Sequence, residues 1–199
     1  MKHESLSYIQ EAVKKHEKEA AALSDHLAAN PEVAYEEFNS SRAMADLLKQ
    51  AGFQVTYPFA GYDTAFCGVL DNGDGPSVAI LTEYDALPGI GHGCGHNLHG
   101  SLSILTGLTL MELKEHFRGK VYVVGTPAEE ASGAKITMAS DGIFDEMDFS
   151  RHDAQRPGRS LHAQHRLHEP SRLHHRIFRT DRPCGSLPLA GKKRSCGSP

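Results

Sequence analysis

Apolar positions recur at helical spacing over residues 5–29, where Ile9, Val13, Ala20, Leu23 and Leu27 fall on one stripe. Asn30-Pro31 should end that helix, because a residue before proline is pushed out of the helical region. A second stripe (Phe38, Ala43, Leu47, Leu48) predicts an inward helical face over roughly 35–51, with Gly52 as its stop. Strands are expected at 53–57 and 64–70, the second placing Cys67 in the core, and Asp71-Asn72-Gly73-Asp74-Gly75 then reads as a turn. Ser77–Leu81 and Lys120–Val124 are short, nearly continuous apolar runs, the pattern of central strands covered by helices on both faces. Between them Asn97 is placed to cap a helix of about 98–116 carrying Leu102, Leu105, Leu108 and Leu110, and a shorter helix near 133–142 should end at Gly142. Strands alternating with helices predict an α/β sandwich.

After Phe149 this grammar stops. Of 199 residues, 1–149 carry 10 Lys+Arg against 22 Asp+Glu, whereas 150–199 carry 11 against 3, with nine of the eleven arginines. The division drawn is 1–149 as a structured domain and 150–199 as a basic tail, poor in large apolar side chains and expected to lack packed order. The start has no apolar stretch suited to a signal peptide, no run approaches a membrane span, and the four cysteines show no paired spacing. A cytoplasmic protein without membrane partners is the default expectation.

The chemistry is concentrated in Glu83-Tyr84-Asp85-Ala86-Leu87-Pro88-Gly89-Ile90-Gly91-His92-Gly93-Cys94-Gly95-His96-Asn97 and in Pro127-Ala128-Glu129-Glu130. Each segment follows a predicted central strand, and ligands of open α/β sheets bind beyond such strand ends. Cys94 and His96 are two apart; in an extended glycine loop a thiolate and an imidazole can face one ion, suited to Zn, Co or Mn with carboxylates completing the shell. Of the adjacent Glu129 and Glu130, one can hold metal while the other addresses water, the apparatus of amide hydrolysis. A lone Cys-x-His or Glu-Glu is usually incidental; it is their joint position at two strand ends that favours a metal site. His92 and His99 read equally well as loop or helix-face residues, and His3, His16, His26 and His116 as surface.

With those residues in place, the chain resembles the dinuclear metallopeptidase and amidohydrolase family of aminoacylases, hippurate hydrolases, auxin-conjugate hydrolases and aminobenzoyl-glutamate hydrolase. The resemblance covers about residues 5–149, through the two segments above and Asn30-Pro31-Glu32-Val33-Ala34-Tyr35-Glu36-Glu37. It implies the N-terminal half of a zinc-peptidase-type catalytic domain, a central mixed sheet flanked by helices. It further implies two divalent ions (Zn, Mn or Co), with Cys94, His96 and Glu130 as ligands and Glu129 as the general base on a metal-bridging water. Asp85 would orient a ligand from behind, and Glu83 stands where other branches have a ligand histidine. The implied substrate is a small N-acyl amino acid or dipeptide-like amide, and the family assembles as a homodimer.

The family's next ligand histidine, its lid and dimerisation domain and its last ligand histidine are not recognisable in 150–199. The codons of His152-Asp153-Ala154-Gln155, read one base later with suitable wobble bases, give Met-Met-His, with histidine in the place of Ala154. Those of Arg179 to Leu189 likewise accommodate Gly-Gln-Thr-Ala-His-Ala-Ala-Ala-Ser-Pro, the expected lid pattern. A frame change near codon 149 is therefore expected, leaving a chain that lacks the lid, does not form the family dimer and does not turn over. On this reading the tail has no nucleic-acid role. The competing reading is a non-catalytic metal-binding fragment whose basic tail contacts acidic partners.

Overall fold

The computed structural model describes the backbone of residues 2–156 and 159–166 and the side chains of residues 6–150. In chain order the elements are α1 (Lys2–Ala29), α2 (Phe38–Gln50), β1 (Gln54–Thr56), β2 (Phe66–Asp71), β3 (Ser77–Thr82), α3 (His96–Glu112), a 3-10 turn (Lys114–His116), β4 (Lys120–Gly125), α4 (Ala134–Ser140), β5 (Phe149–Arg156) and β6 (Arg159–Arg166). The sheet runs β1-β2-β4-β3-β5-β6. It is mixed: β4 is antiparallel to β2 but parallel to β3, and β5 is parallel to β3. The turn at 71–75 thus joins strands that are not neighbours, because β4 lies between them.

Period-two alternation sorts the strand residues onto two cores. Phe66, Leu70, Ile80, Val121 and Val123 face α1, α2 and α3 through Leu23, Leu27, Leu48, Ile104 and Leu108. Cys67, Ala79, Leu81 and Val124 face α4 and the segment after it through Ala134, Met138, Phe144 and Met147. With apolar residues needed on both faces, β3 and β4 become the continuous apolar runs seen in the sequence. The fold is the helix-flanked mixed α/β sheet that the pattern predicts.

Three local expectations are corrected. Phe38 is 50% exposed rather than inward. The helix containing it starts three residues later than expected, because the Glu32 carboxylate takes the N–H groups of Asn39 and Ser40 at 3.0 and 2.7 Å and so defines the first turn. Asn97 is not a cap: α3 begins at His96 after Gly95 in the left-handed region (φ 78°), and the Asn97 amide reaches back to the Ser24 hydroxyl at 3.1 Å. Ile9, expected on the buried stripe of α1, is 44% exposed, whereas Leu23 and Leu27 are buried.

Regular structure also extends past 149, where none was expected. Residues 149–156 and 159–166 form a hairpin, of which Phe149, Ser150 and Arg151 pair with β3. Backbone pairing along an open edge needs no apolar side chains, which is why hydropathy does not foresee it. The rest of the expected tail lies outside the described residues. No described helix is long and apolar enough to cross a membrane.

Candidate metal centre

Because β3 and β4 are parallel and in register (Thr82 opposite Gly125), the chains leaving them emerge side by side. The Thr126 N–H donates to the Thr82 carbonyl at 2.8 Å and extends the ladder one step into the loops. Glu83 and Asp85 on one exit and Glu129 and Glu130 on the other therefore meet at one rim.

Their meeting point is His96, buried at the first turn of α3. Its Nδ1 lies 2.9 Å from both Asp85 Oδ1 and the Asp85 carbonyl. Both partners accept only, so Nδ1 carries the hydrogen and, in the neutral ring, Nε2 presents its lone pair. Around Nε2 stand Glu83 Oε2 at 3.5 Å, Glu129 Oε2 at 3.7 Å and Glu130 Oε1 at 3.8 Å. The ligand atoms of His96, Glu129 and Glu130 lie within 4.8 Å of one another. Asp85 couples the two loops, since its Oδ2 accepts the Glu130 N–H at 2.8 Å while Oδ1 holds the imidazole.

Four carboxylates crowd this half-enclosed space, and one ammonium opposes them. Lys135, on α4, is buried; its Nζ hydrogen-bonds Glu83 Oε1 and lies 3.7 Å from Glu129 Oε1. Burial would lower the His96 pKa, but the Asp85 hydrogen bond and the charges of Glu83, Asp85 and Glu129 outweigh it and raise it to about 9. Glu129 is pushed above the ordinary carboxylate range, first by burial and then by the charge of Glu83. Glu130 Oε1 is buried and has no hydrogen-bond partner among the described residues. An orphaned buried carboxylate oxygen beside an imidazole lone pair fits a divalent cation.

Of the residues singled out in the sequence, His96, Glu129, Glu130 and Asp85 are brought together. Cys94, half-buried in the turn before α3, is not in the group whose donor atoms lie within 4.8 Å of one another. His99 is buried behind the centre and accepts the Glu83 N–H at 3.1 Å. His92 lines a hollow with Ala28, Pro31, Leu87 and Ile90 and lies near enough to His96 and Asp85 to feel their charges. His26 and His116 are exposed as expected, and Cys67 is core, its thiol pushed up to about 11 by burial. Sequence reasoning missed Lys135 and gave Glu37 no role; the one cation on a short, largely apolar helix was the available signal for Lys135.

Residues 79–177 match the model of peptidase family M20/M25/M40. The chain carries a domain of this family. The matched stretch begins in β3, contains both loops and runs past residue 149. The chain is 31% identical to a p-aminobenzoyl-glutamate hydrolase subunit of Escherichia coli (strain K12), over 73% of this chain and 34% of that one. It is 36% identical to the Xaa-Arg dipeptidase of Mus musculus, over 67% of this chain and 35% of that protein. The crystal structure of a putative aminohydrolase from methicillin-resistant Staphylococcus aureus superposes with a TM-score of 0.66 at 27% identity, covering 72% of this chain and 41% of its own. The chain thus spans about a third of the length of these curated relatives.

Proposed function

We propose that residues 2–149 of this M20-family chain form the ligand-and-base half of a metal-dependent amidohydrolase centre, acting on the amide bond of an N-acyl amino acid or a dipeptide-like substrate. One observation carries it: the buried His96 Nε2 is ringed by Glu83, Glu129 and Glu130 while Nδ1 is fixed by Asp85. The substrate class follows the relatives, named for an aminobenzoyl-glutamate and for Xaa-Arg dipeptides. His96 and Glu130 would hold a divalent ion, with Cys94 joining them from the turn before α3. Two ions, drawn from Zn, Mn and Co, are the complement the resemblance implies. Bound there, a divalent cation polarises the amide carbonyl and acidifies water. Glu129 is the base: its carboxylate faces the same space, and its raised pKa suits it to take a proton from water and return it to the departing amine. Asp85 keeps His96 in the tautomer that can ligate.

Isothermal titration with Zn, Mn and Co tests this reading. Binding lost in His96→Ala and Glu130→Gln is expected, and a wild-type chain that binds none of the three overturns it.

The described residues supply three of the ligands the resemblance expects, so these residues by themselves should hold metal without turning substrate over. Turnover of an N-acyl amino acid that Glu129→Gln abolishes would refute this. The charge reversal at 149 and the two family segments in the shifted frame support a frame change near there, against a family match that runs on in this frame to residue 177; an intact gene with no such second frame removes that idea. A cytoplasmic setting and the absence of nucleic-acid binding complete the proposal, and salt-sensitive nucleic-acid binding lost on deleting 150–199 would overturn the latter.

A further inference from the structure

We infer that Glu37 is a positioning residue for the Glu129-Glu130 pair, acting through the backbone of Ala128; this rests on the metal-centre reading above. Glu37 is fully buried at the start of α2, ninety-one residues from Ala128 in sequence, yet its Oε1 accepts the Ala128 N–H at 2.9 Å. Its other oxygen accepts the Thr64 hydroxyl at 2.9 Å, and the Thr64 carbonyl in turn accepts the buried Tyr84 hydroxyl at 2.6 Å. The carboxylate is therefore held on both oxygens by rigid parts of the fold.

What it holds is unusual. Ala128 has φ 62°, in the left-handed region where a residue with a Cβ is strained. That conformation turns the chain so that the Ala128 carbonyl collects the N–H groups of Ala131 and Gly133 at 3.2 and 2.8 Å. The following residue, Glu129, leaves the turn toward His96. On the far side the Glu130 N–H is tied to Asp85 at 2.8 Å. Glu129 thus sits between two backbone N–H groups, each captured by a buried carboxylate from a distant segment. Asp85 also touches a ligand side chain; Glu37 reaches the centre only through the turn.

This gives the Asn30–Glu37 segment a division of labour. Glu32 sets the start of α2, Val33 bridges to Ala86 beside Asp85, and Glu37 clamps the opposite loop. One short segment therefore braces both strand exits.

The test is Zn affinity, measured on the chain as it stands by competition with a chromophoric chelator, with near-ultraviolet circular dichroism confirming that each variant is folded. In Glu37→Gln the amide oxygen still accepts the Ala128 N–H and the amide nitrogen can donate to Thr64, so affinity within about twofold of wild type is expected. Glu37→Asp is one methylene short and Glu37→Ala has no acceptor; both should bind Zn about tenfold more weakly, the low end for residues that support a ligand indirectly. If the alanine variant does not fold, the Gln and Asp variants decide the matter between them. A folded Glu37→Asp that binds Zn as tightly as Glu37→Gln reduces Glu37 to structural glue and overturns the inference alone. A wild-type chain that binds no Zn overturns the metal-centre reading and this inference with it.

Discussion

The two loops that build the centre differ in how much of their order is local. The loop after β3 is ordered largely by its own backbone: Leu87 and Gly91 exchange hydrogen bonds at 2.9 and 3.0 Å, the Gly95 N–H goes to His92 at 3.0 Å, and Gly89, Gly91 and Gly95 supply left-handed turns at no steric cost. The loop after β4 is shorter, takes one of its two left-handed turns at an alanine, and adds to its own backbone bonds two ties from outside, to Glu37 and Asp85. Local order can be written in local sequence, whereas borrowed order cannot. The first loop therefore announces itself as a motif, and the second is meaningful only beside it.

The borrowed loop should be the fragile one, and Lys135 tests that most severely. Its ammonium, with the His96 imidazolium of the metal-free protein, offsets Glu83 and Glu129, the side chains of the Lys135–Glu83 pair being 8% and 4% exposed. Lys135→Met strips buried Glu83 of its nearest cation, so urea unfolding above pH 9, where His96 is neutral, should show a loss of about 3–5 kcal/mol, and less at neutral pH. Adding Glu83→Gln should recover a large part of it, and saturating Zn should shrink it by supplying the missing charge. A loss below about 1 kcal/mol would mean that solvent already screens the cluster.

Asp85 joins the two loops, and Asp85→Asn separates its two duties. The amide oxygen can still accept from His96 Nδ1, but the amide nitrogen then faces the Glu130 N–H, donor against donor. Zn affinity should fall 10–100-fold, the range for groups that orient a metal ligand, by about 1.4–2.7 kcal/mol. Equal affinity for the two proteins in calorimetry would show that the second loop needs no such tie.

How much could be read beforehand follows the same division. β3 and β4 were legible because both of their faces are covered, which leaves an unbroken apolar run. The convergence of Asp85, His96, Glu129 and Glu130 was legible because adjacent parallel strands end on one edge. The insertion of β4 between β2 and β3, the Ser24–Asn97 contact, the capture of Asn39 and Ser40 by Glu32, and the buried Lys135 were not. Each depends on a partner 7 to 73 residues away, or on sheet order, and no spacing rule encodes it. Phe38 shows the reverse failure: its apolar side chain fits a helical stripe, but the delayed helix start leaves it outside.

His96 gives the comparison a pH axis. Its folded pKa of about 9 lies above the ordinary 6.5, so in the metal-free protein its stabilising contribution is complete below pH 6.5 and is lost as pH rises through 9. Ligation requires the neutral ring, so metal binding opposes the proton. Below pH 9 Zn affinity should weaken by up to about tenfold per pH unit, with one proton released per ion from this group. The apparent stabilisation by Zn should thus grow over the interval in which the metal-free protein weakens. Flat Zn affinity between pH 7 and 9 in titrations run in two buffers of different ionisation enthalpy would show that the imidazole is not the ligand.

The smallest effect is the most specific to the second loop. Ala128→Gly deletes a buried methyl, worth about 0.8 kcal/mol, and adds glycine's backbone freedom in the unfolded chain, about 0.5–1 kcal/mol. Against these it removes the strain of a left-handed alanine, about 1–2 kcal/mol. The terms nearly cancel, so unfolding should stay within about 0.5 kcal/mol of wild type. Ala79 is as fully buried, but it lies within β3, where no left-handed strain offsets the same two losses. Ala79→Gly should therefore lose about 1–2 kcal/mol. Equal losses for the two variants would show that Ala128 stores no strain, and that the turn carrying Glu129 needs nothing from outside to hold it.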